Sequence, residues 1–322
     1  MSFTRHRLSL LDGRITGLAA LPAAPTPDTD SDTCGKPLLV FVHGGGADAT
    51  AFDIPGHSQL ELAARNGFPA LALDRPGAGG SATLGFPPTS DTGLMRANAE
   101  FLHDAVGELW GRHGAERPGV VVVGCSIGGA IALHLAALWT EREAPAWPLL
   151  GVAVADIGQV PPPRLVGFWD DVEPAEHADP ALLTGAIEMP PLWTIPRYVM
   201  EAGARRESFQ PAVRAELNEV VGGWLRDWEA VASAVTVPVH YRLGALDTLW
   251  VPDPDHVAAF AAALRTRSPY VDAALFPGSS HVVANSAAGY EYRHQVLGFA
   301  ERCAAAAATP ELHAASAAAG RP

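Results

Sequence analysis

Lysine is almost absent from this chain. One of its 322 residues is lysine, Lys36, against 21 arginines. Charge of either kind is sparse at 18% of residues, and the formal net charge is −13. A nucleic-acid partner needs a basic footprint, which an acidic chain does not supply. Cysteine is scarce as well. Cys34, Cys125 and Cys303 are far apart and odd in number, so they form neither a disulfide framework nor a zinc site. That usage points to a reducing cytoplasm. Long apolar runs are missing, and Asp12 and Arg14 interrupt the leucines near the N-terminus before they form a signal-peptide core. The expectation is a cytoplasmic protein with a small-molecule substrate, no nucleic-acid or membrane partner, and no metal or cofactor. Its oligomeric state stays open. Arginine in place of lysine, with heavy Ala, Gly and Pro use, suggests a GC-rich bacterial genome.

Hydrophobic residues are plentiful at 48%. At this length they can fill one large core, with residues left over for an insertion. Short apolar runs recur along the chain. Leu38–Val42, Phe68–Leu73, Val120–Val123, Leu149–Ala155, Val237–Leu243 and Tyr270–Phe276 read as strands of a mostly parallel sheet. Arg5–Leu11 and Arg14–Leu21 flank Asp12-Gly13, a two-residue hairpin signal, and bring the strand number to eight. Helices are expected near Ser58–Asn66, ending at Gly67, over Thr92–His113 with Asp91 as its cap, and from about Ala287 to Cys303. The Ala-rich residues 304–322 read as a frayed, flexible tail.

The most informative stretch is Gly124-Cys125-Ser126-Ile127-Gly128-Gly129. It follows the run Val120–Val123 and opens the helical segment Ala130–Leu138. Strand, sharp turn and helix with a serine at the apex make a nucleophile elbow. A phosphate loop would need a lysine after its last glycine, and Lys36 is far upstream.

A serine attacks only when a base takes its proton and a third group orients that base. His281, after the strand Tyr270–Phe276, is the candidate base. Asp247, after Val237–Leu243, is the candidate acid, with Asp156 at the end of Leu149–Ala155 as its rival. All sit at carboxyl ends of expected parallel strands, where sites in open α/β sheets collect. Oxyanion donors are expected from the N–H of Ile127 and from His43-Gly44-Gly45-Gly46, with Gly45 first and Gly44 or Gly46 as alternatives. His43 reads as a brace for that loop. Asp253, Asp255, His256 and His294 read as ordinary helix residues.

These motifs, with D-R-P-G-A-G-G-S at Asp74–Ser81 and G-A-L-D at Gly244–Asp247, resemble the α/β-hydrolase superfamily. The likeness runs from about Arg5 to Cys303. It implies an α/β-hydrolase fold with Ser126 as nucleophile, His281 as base, Asp247 as orienter, and Ile127 with Gly45 as oxyanion donors. A serine at the elbow argues against the chemistry of epoxide hydrolases and haloalkane dehalogenases, whose nucleophile is aspartate.

About 80 residues separate Leu149–Ala155 from Val237–Leu243, more than one crossover helix needs. The expected division is a core of 1–160 and 224–303, with a helical cap of 161–223 inserted after the sixth strand. The cap's aromatics, Trp169, Trp193 and Tyr198, are candidate substrate contacts, as is Trp250 just past Asp247. The reading is a serine hydrolase for an ester, thioester or lactone of a medium-sized apolar molecule. An acyltransferase or cyclase, a C–C bond hydrolase using the same triad, and a non-enzymatic ligand-binding protein stay open.

Overall fold

The structure is a computed structural model that describes residues 2–23, 35–84, 93–166, 177–178 and 212–309. Its frame is an eight-stranded sheet. The strands are β1 (Phe3–Leu10), β2 (Ile15–Pro22), β3 (Leu38–Val42), β4 (Ala70–Leu73), β5 (Val120–Cys125) and β6 (Leu149–Ala155). After β6 come the two-residue strands β7 (His177–Ala178) and β8 (Ala212–Val213), which pair only with each other. The main sheet resumes with β9 (Val239–Gly244) and β10 (Val271–Phe276). Its order is β1-β2-β4-β3-β5-β6-β9-β10. Within that sheet, only the β1/β2 and β2/β4 pairs are antiparallel among the described residues.

Parallel strands covered on both faces read as unbroken apolar runs. In β5, Val120 and Val122 join one core cluster, and Val121 and Val123 the other. The first cluster lies under α2 (Leu94–His113), α3 (Ile127–Glu141), α5 (Gly223–Ala234) and α6 (Pro254–Leu264). The second lies under α1 (Gln59–Arg65) and α7 (Gly289–Ala308). A further helix, α4 (Arg214–Val220), precedes α5. Among the described residues, no helix is long and apolar enough to cross a membrane.

Three local features differ from the expectation. The hairpin turn spans Leu11–Arg14, because the last strand pair is Leu10 with Ile15. Leu11, Asp12 and Gly13 all take positive φ there. Helix α2 begins at Leu94, and the carboxylate of Glu219 on α4 receives the N–H groups of Leu94 and Met95. The expected cap Asp91 lies outside the described residues. Helix α7 runs to Ala308, past the expected end at Cys303. Alanine has the highest helix propensity of any residue, so the Ala run extends the helix. Residues 310–322 lie outside the described residues.

Candidate active site

Ser126 sits between β5 and α3 with φ 55° and ψ −126°. A non-glycine residue in this region stores about 1–3 kcal/mol of strain, which its surroundings must offset. Two backbone hydrogen bonds hold the turn: Ser126 N to Ala155 O at 2.8 Å, and Gly129 N to Ser126 O at 2.7 Å. The glycines are required by contact. A Cβ on Gly124 would lie 2.4 Å from Gly128 O, and one on Gly128 would lie 2.2 Å from Val42 O. The elbow is therefore wedged against the end of β3.

His281 reaches this serine from the loop after β10. Its Nε2 lies 3.0 Å from Ser126 Oγ, and its Nδ1 lies 2.9 Å from Asp247 Oδ2. The other Asp247 oxygen accepts from the N–H groups of Leu249 at 2.8 Å and Trp250 at 3.0 Å. A carboxylate can only accept from Nδ1–H, so it sets the tautomer and leaves Nε2 free to accept the serine proton. Burial opposes the imidazolium and is the largest influence on His281. The charge and hydrogen bond of Asp247, with the charge of Asp156, outweigh it and hold the pKa above 6.5.

Asp156 does not bond the imidazole. Its oxygens accept from Val283 N at 3.1 and 3.2 Å, and Oδ2 also takes the Cys125 thiol at 3.3 Å. Burial pushes its carboxyl up to about 6, with the His281 charge opposing and the Asp247 charge adding. The two carboxylates and His281 offer donor atoms within 4.8 Å of one another, the spacing of a metal site. Here those atoms are engaged by the protein: Asp247 by His281 and two N–H groups, and Asp156 by an N–H and a thiol. Burial, together with the neighbouring Asp156, holds the Cys125 thiol well above 9.0.

The glycine loop after β3 comes equally close. A Cβ on Gly44 would lie 3.1 Å from Ser126 Cβ, and one on Gly45 would lie 2.8 Å from Ile127 Cδ1. Both glycines line the cavity at Ser126, as does Ile127, whereas Gly46 does not. His43 braces this loop: its Nε2 accepts from Arg75 N at 3.0 Å, and its Nδ1 lies 2.8 Å from Gly44 O. Burial, helped by the Arg75 charge, holds His43 well below 6.5.

Arg75 is a residue that sequence reasoning missed. It lies in the D-R-P-G motif, and its guanidinium donates to His43 O at 2.9 Å and to Gly44 O at 3.0 Å. The same group pairs through both terminal nitrogens with Glu216 on α4, at 2.5 and 3.0 Å. Both side chains are buried. One buried ion pair thus ties α4 to the glycine loop. Removing one partner from such a pair costs about 3–5 kcal/mol, because a buried charge is left alone. Glu216→Ala is expected to lose that much in chemical denaturation. Arg75→Met combined with Glu216→Leu is expected to recover most of it. Additive losses in the double variant would contradict the pairing.

The cavity at Ser126 is walled mainly by apolar groups, among them Phe52, Leu165, Leu217, Leu249 and Trp250. Trp250, a candidate substrate contact, lines this cavity and donates its indole N–H to Asp156 O at 3.2 Å. Trp169, Trp193 and Tyr198 lie outside the described residues. Trp224, another aromatic of that region, is buried against Phe260 and donates to Gly158 O at 2.7 Å. Asp253 caps α6, accepting from Asp255 N at 2.7 Å, and His294 packs on Tyr290.

Residues 39–291 match the alpha/beta hydrolase family. Similar solved structures include a monoacylglycerol lipase from Paleococcus ferrophilus, with TM-score 0.56 and 17% identity, covering 94% of this chain and 100% of that one. A mutant N-acyl homoserine lactonase complexed with N-hexanoyl homoserine gives TM-score 0.60 and 18% identity, covering 94% of this chain and 98% of that one. A thermophilic esterase from Thermogutta terrifontis gives 0.57 and 17%, covering 94% and 99%. At these identities the likeness is one of fold. No curated protein sequence matches the chain. The family match spans most of the chain, including Ser126, Asp247 and His281, and the protein belongs to the alpha/beta hydrolase family.

Proposed function

We propose that the protein is a serine hydrolase that cleaves a carboxyl ester of a medium-sized, largely apolar molecule through an acyl-enzyme on Ser126. The observation that carries this reading is the hydrogen-bonded row Ser126–His281–Asp247, at 3.0 and 2.9 Å, opening on an apolar cavity. Ser126 Oγ attacks the ester carbonyl as His281 Nε2 takes its proton. The N–H groups of Ile127 and Gly45 receive the oxyanion. The imidazolium then gives its proton to the departing alcohol. Water, activated by the same nitrogen, releases the acid.

Three features support the apolar ester. No Lys or Arg lines the cavity among the described residues, so a phosphorylated or coenzyme A-linked substrate finds no clamp. Trp250 supplies an aromatic wall. Leu165 and Leu217, from the two ends of segment 161–223, both line the cavity, which fits that segment as a roof.

A fluorophosphonate tests the nucleophile and its base together. Intact mass is expected to show a single adduct, on Ser126. The imidazole must be neutral to act, and its pKa is held above 6.5. Labelling therefore falls tenfold per pH unit on the acid side, with a midpoint above 6.5. An adduct elsewhere, or a flat profile from pH 5 to 8, would overturn the assignment.

A further inference from the structure

Asn285 is a buried carboxamide that the reaction above does not use. It ends a short turn, Val283–Asn285, that follows His281. Its residue is 1% exposed, and its Oδ1 has no hydrogen-bond partner among the described residues. It lines the same cavity as Ser126 and His281. A buried carbonyl oxygen without a donor is costly, and most native ones are paired. Leucine would fill the same volume without that cost. A polar side chain kept in an apolar wall fits a group that arrives with the ligand.

A second carboxamide, Gln59, stands in the same wall and comes from the first residue of α1. No Asp, Glu, Lys or Arg lines the cavity among the described residues, so a charged ligand group would meet no counter-ion. The complement of two neutral carboxamides is a neutral group that both donates and accepts. A trans secondary amide shows its N–H on one edge and its C=O on the other, so two carboxamides from separate elements can each take one edge. We infer that the substrate is an apolar ester carrying a secondary amide, whose N–H is received by Asn285 Oδ1 and whose C=O is met by Gln59. This inference rests on the ester-hydrolase reading of the same cavity.

Two matched pairs of esters test it. In the first, the p-nitrophenyl ester of N-acetyl-β-alanine is compared with p-nitrophenyl hexanoate, so the amide lies on the acyl side. In the second, 2-acetamidoethyl acetate is compared with pentyl acetate, so it lies on the alcohol side. Wild-type kcat/KM is expected to favour the amide member of one pair by about tenfold, the worth of a good hydrogen bond or two. Asn285→Leu is expected to bring that ratio to about one. The unliganded Asn285→Leu protein should also melt about 2–6 °C higher, because an unpaired polar group has gone. Preference for the alkyl ester in both pairs, an unchanged ratio in Asn285→Leu, or a lower melting temperature would overturn the proposal.

The fluorophosphonate adduct on Ser126 reports the hydrolase reading independently of Asn285. If that adduct and all turnover are missing, the hydrolase reading fails. Binding still judges the amide: in one of the two pairs the amide ester is expected to raise the melting temperature of Ser126→Ala more than its alkyl partner does. Adding Asn285→Leu should remove the difference. Equal shifts in both pairs would overturn the amide site.

Discussion

Ser126→Ala is expected to fold as the parent does and to lose about five to six orders of magnitude in kcat on an apolar ester. The size of the loss follows from what the hydroxyl does. In the proposed reaction it carries the atom that bonds to the substrate, and alanine has nothing to put in its place. The fold should survive for equally local reasons. The backbone strain at φ 55° belongs to the elbow, and alanine keeps the same Cβ. The bonds that hold the turn are backbone bonds, from Ser126 N and to Ser126 O. The one side-chain bond lost is that to His281, at 3.0 Å. Residual turnover should reflect positioning and oxyanion stabilisation alone, which leave about 10³–10⁴ over water in such sites. Melting temperature, kcat and intact mass after fluorophosphonate treatment separate the outcomes. Residual activity above a few per cent, with an adduct on another serine, would move the nucleophile elsewhere.

The parts of this site that are legible in the sequence share one property: they are local. The elbow is six consecutive residues between a strand and a helix. His281 and Asp247 each follow an apolar run that becomes β10 or β9, so parallel pairing carries both to one edge of the sheet. The start of α1 near Ser58 is equally local, the Ser58 hydroxyl accepting from Glu61 N at 2.9 Å. What was not legible depends on partners far along the chain. Glu219 caps α2 across more than a hundred residues, so no nearby Ser or Asp was needed at that end. Arg75 and Glu216 are 141 residues apart, and nothing in either neighbourhood announces the pair. The hairpin turn differs for another reason. Asp-Gly is a strong two-residue signal, but here Leu11 and Asp12 also adopt left-handed backbone, and the turn widens to four residues. In the closing helix, the alanine run reads as low complexity, but its helix propensity is the stronger fact. The glycine cluster after β3 is legible as such; the approach of Gly44 to Ser126 and of Gly45 to Ile127 depends on the fold.

The sequence prefers Asp247 to Asp156 as the acid, and that preference carries the second large effect. Asp247→Asn is expected to cost about 10⁴ in kcat. The reason lies in the opposite oxygen. Asp247 Oδ1 accepts from Leu249 N and Trp250 N, at 2.8 and 3.0 Å. An asparagine must keep its carbonyl oxygen toward those two donors, which turns its NH2 toward His281 Nδ1. Nδ1 then becomes the acceptor, and the imidazole proton moves to Nε2, where the serine proton should go. The base is present but in the wrong tautomer. Asp156→Asn meets no such conflict. Its partners are the Val283 N–H and the Cys125 thiol, which an amide oxygen can still accept. What it removes is a charge that helps hold the His281 pKa above 6.5. Losing that charge favours the neutral imidazole, so the acid limb of kcat/KM should move to lower pH while kcat changes far less than in Asp247→Asn. Rate and pH profile together make the distinction. If Asp156→Asn produces the 10⁴-fold loss and Asp247→Asn only a shifted profile, the orienting acid follows β6, and the row Ser126–His281–Asp247 is not the working one.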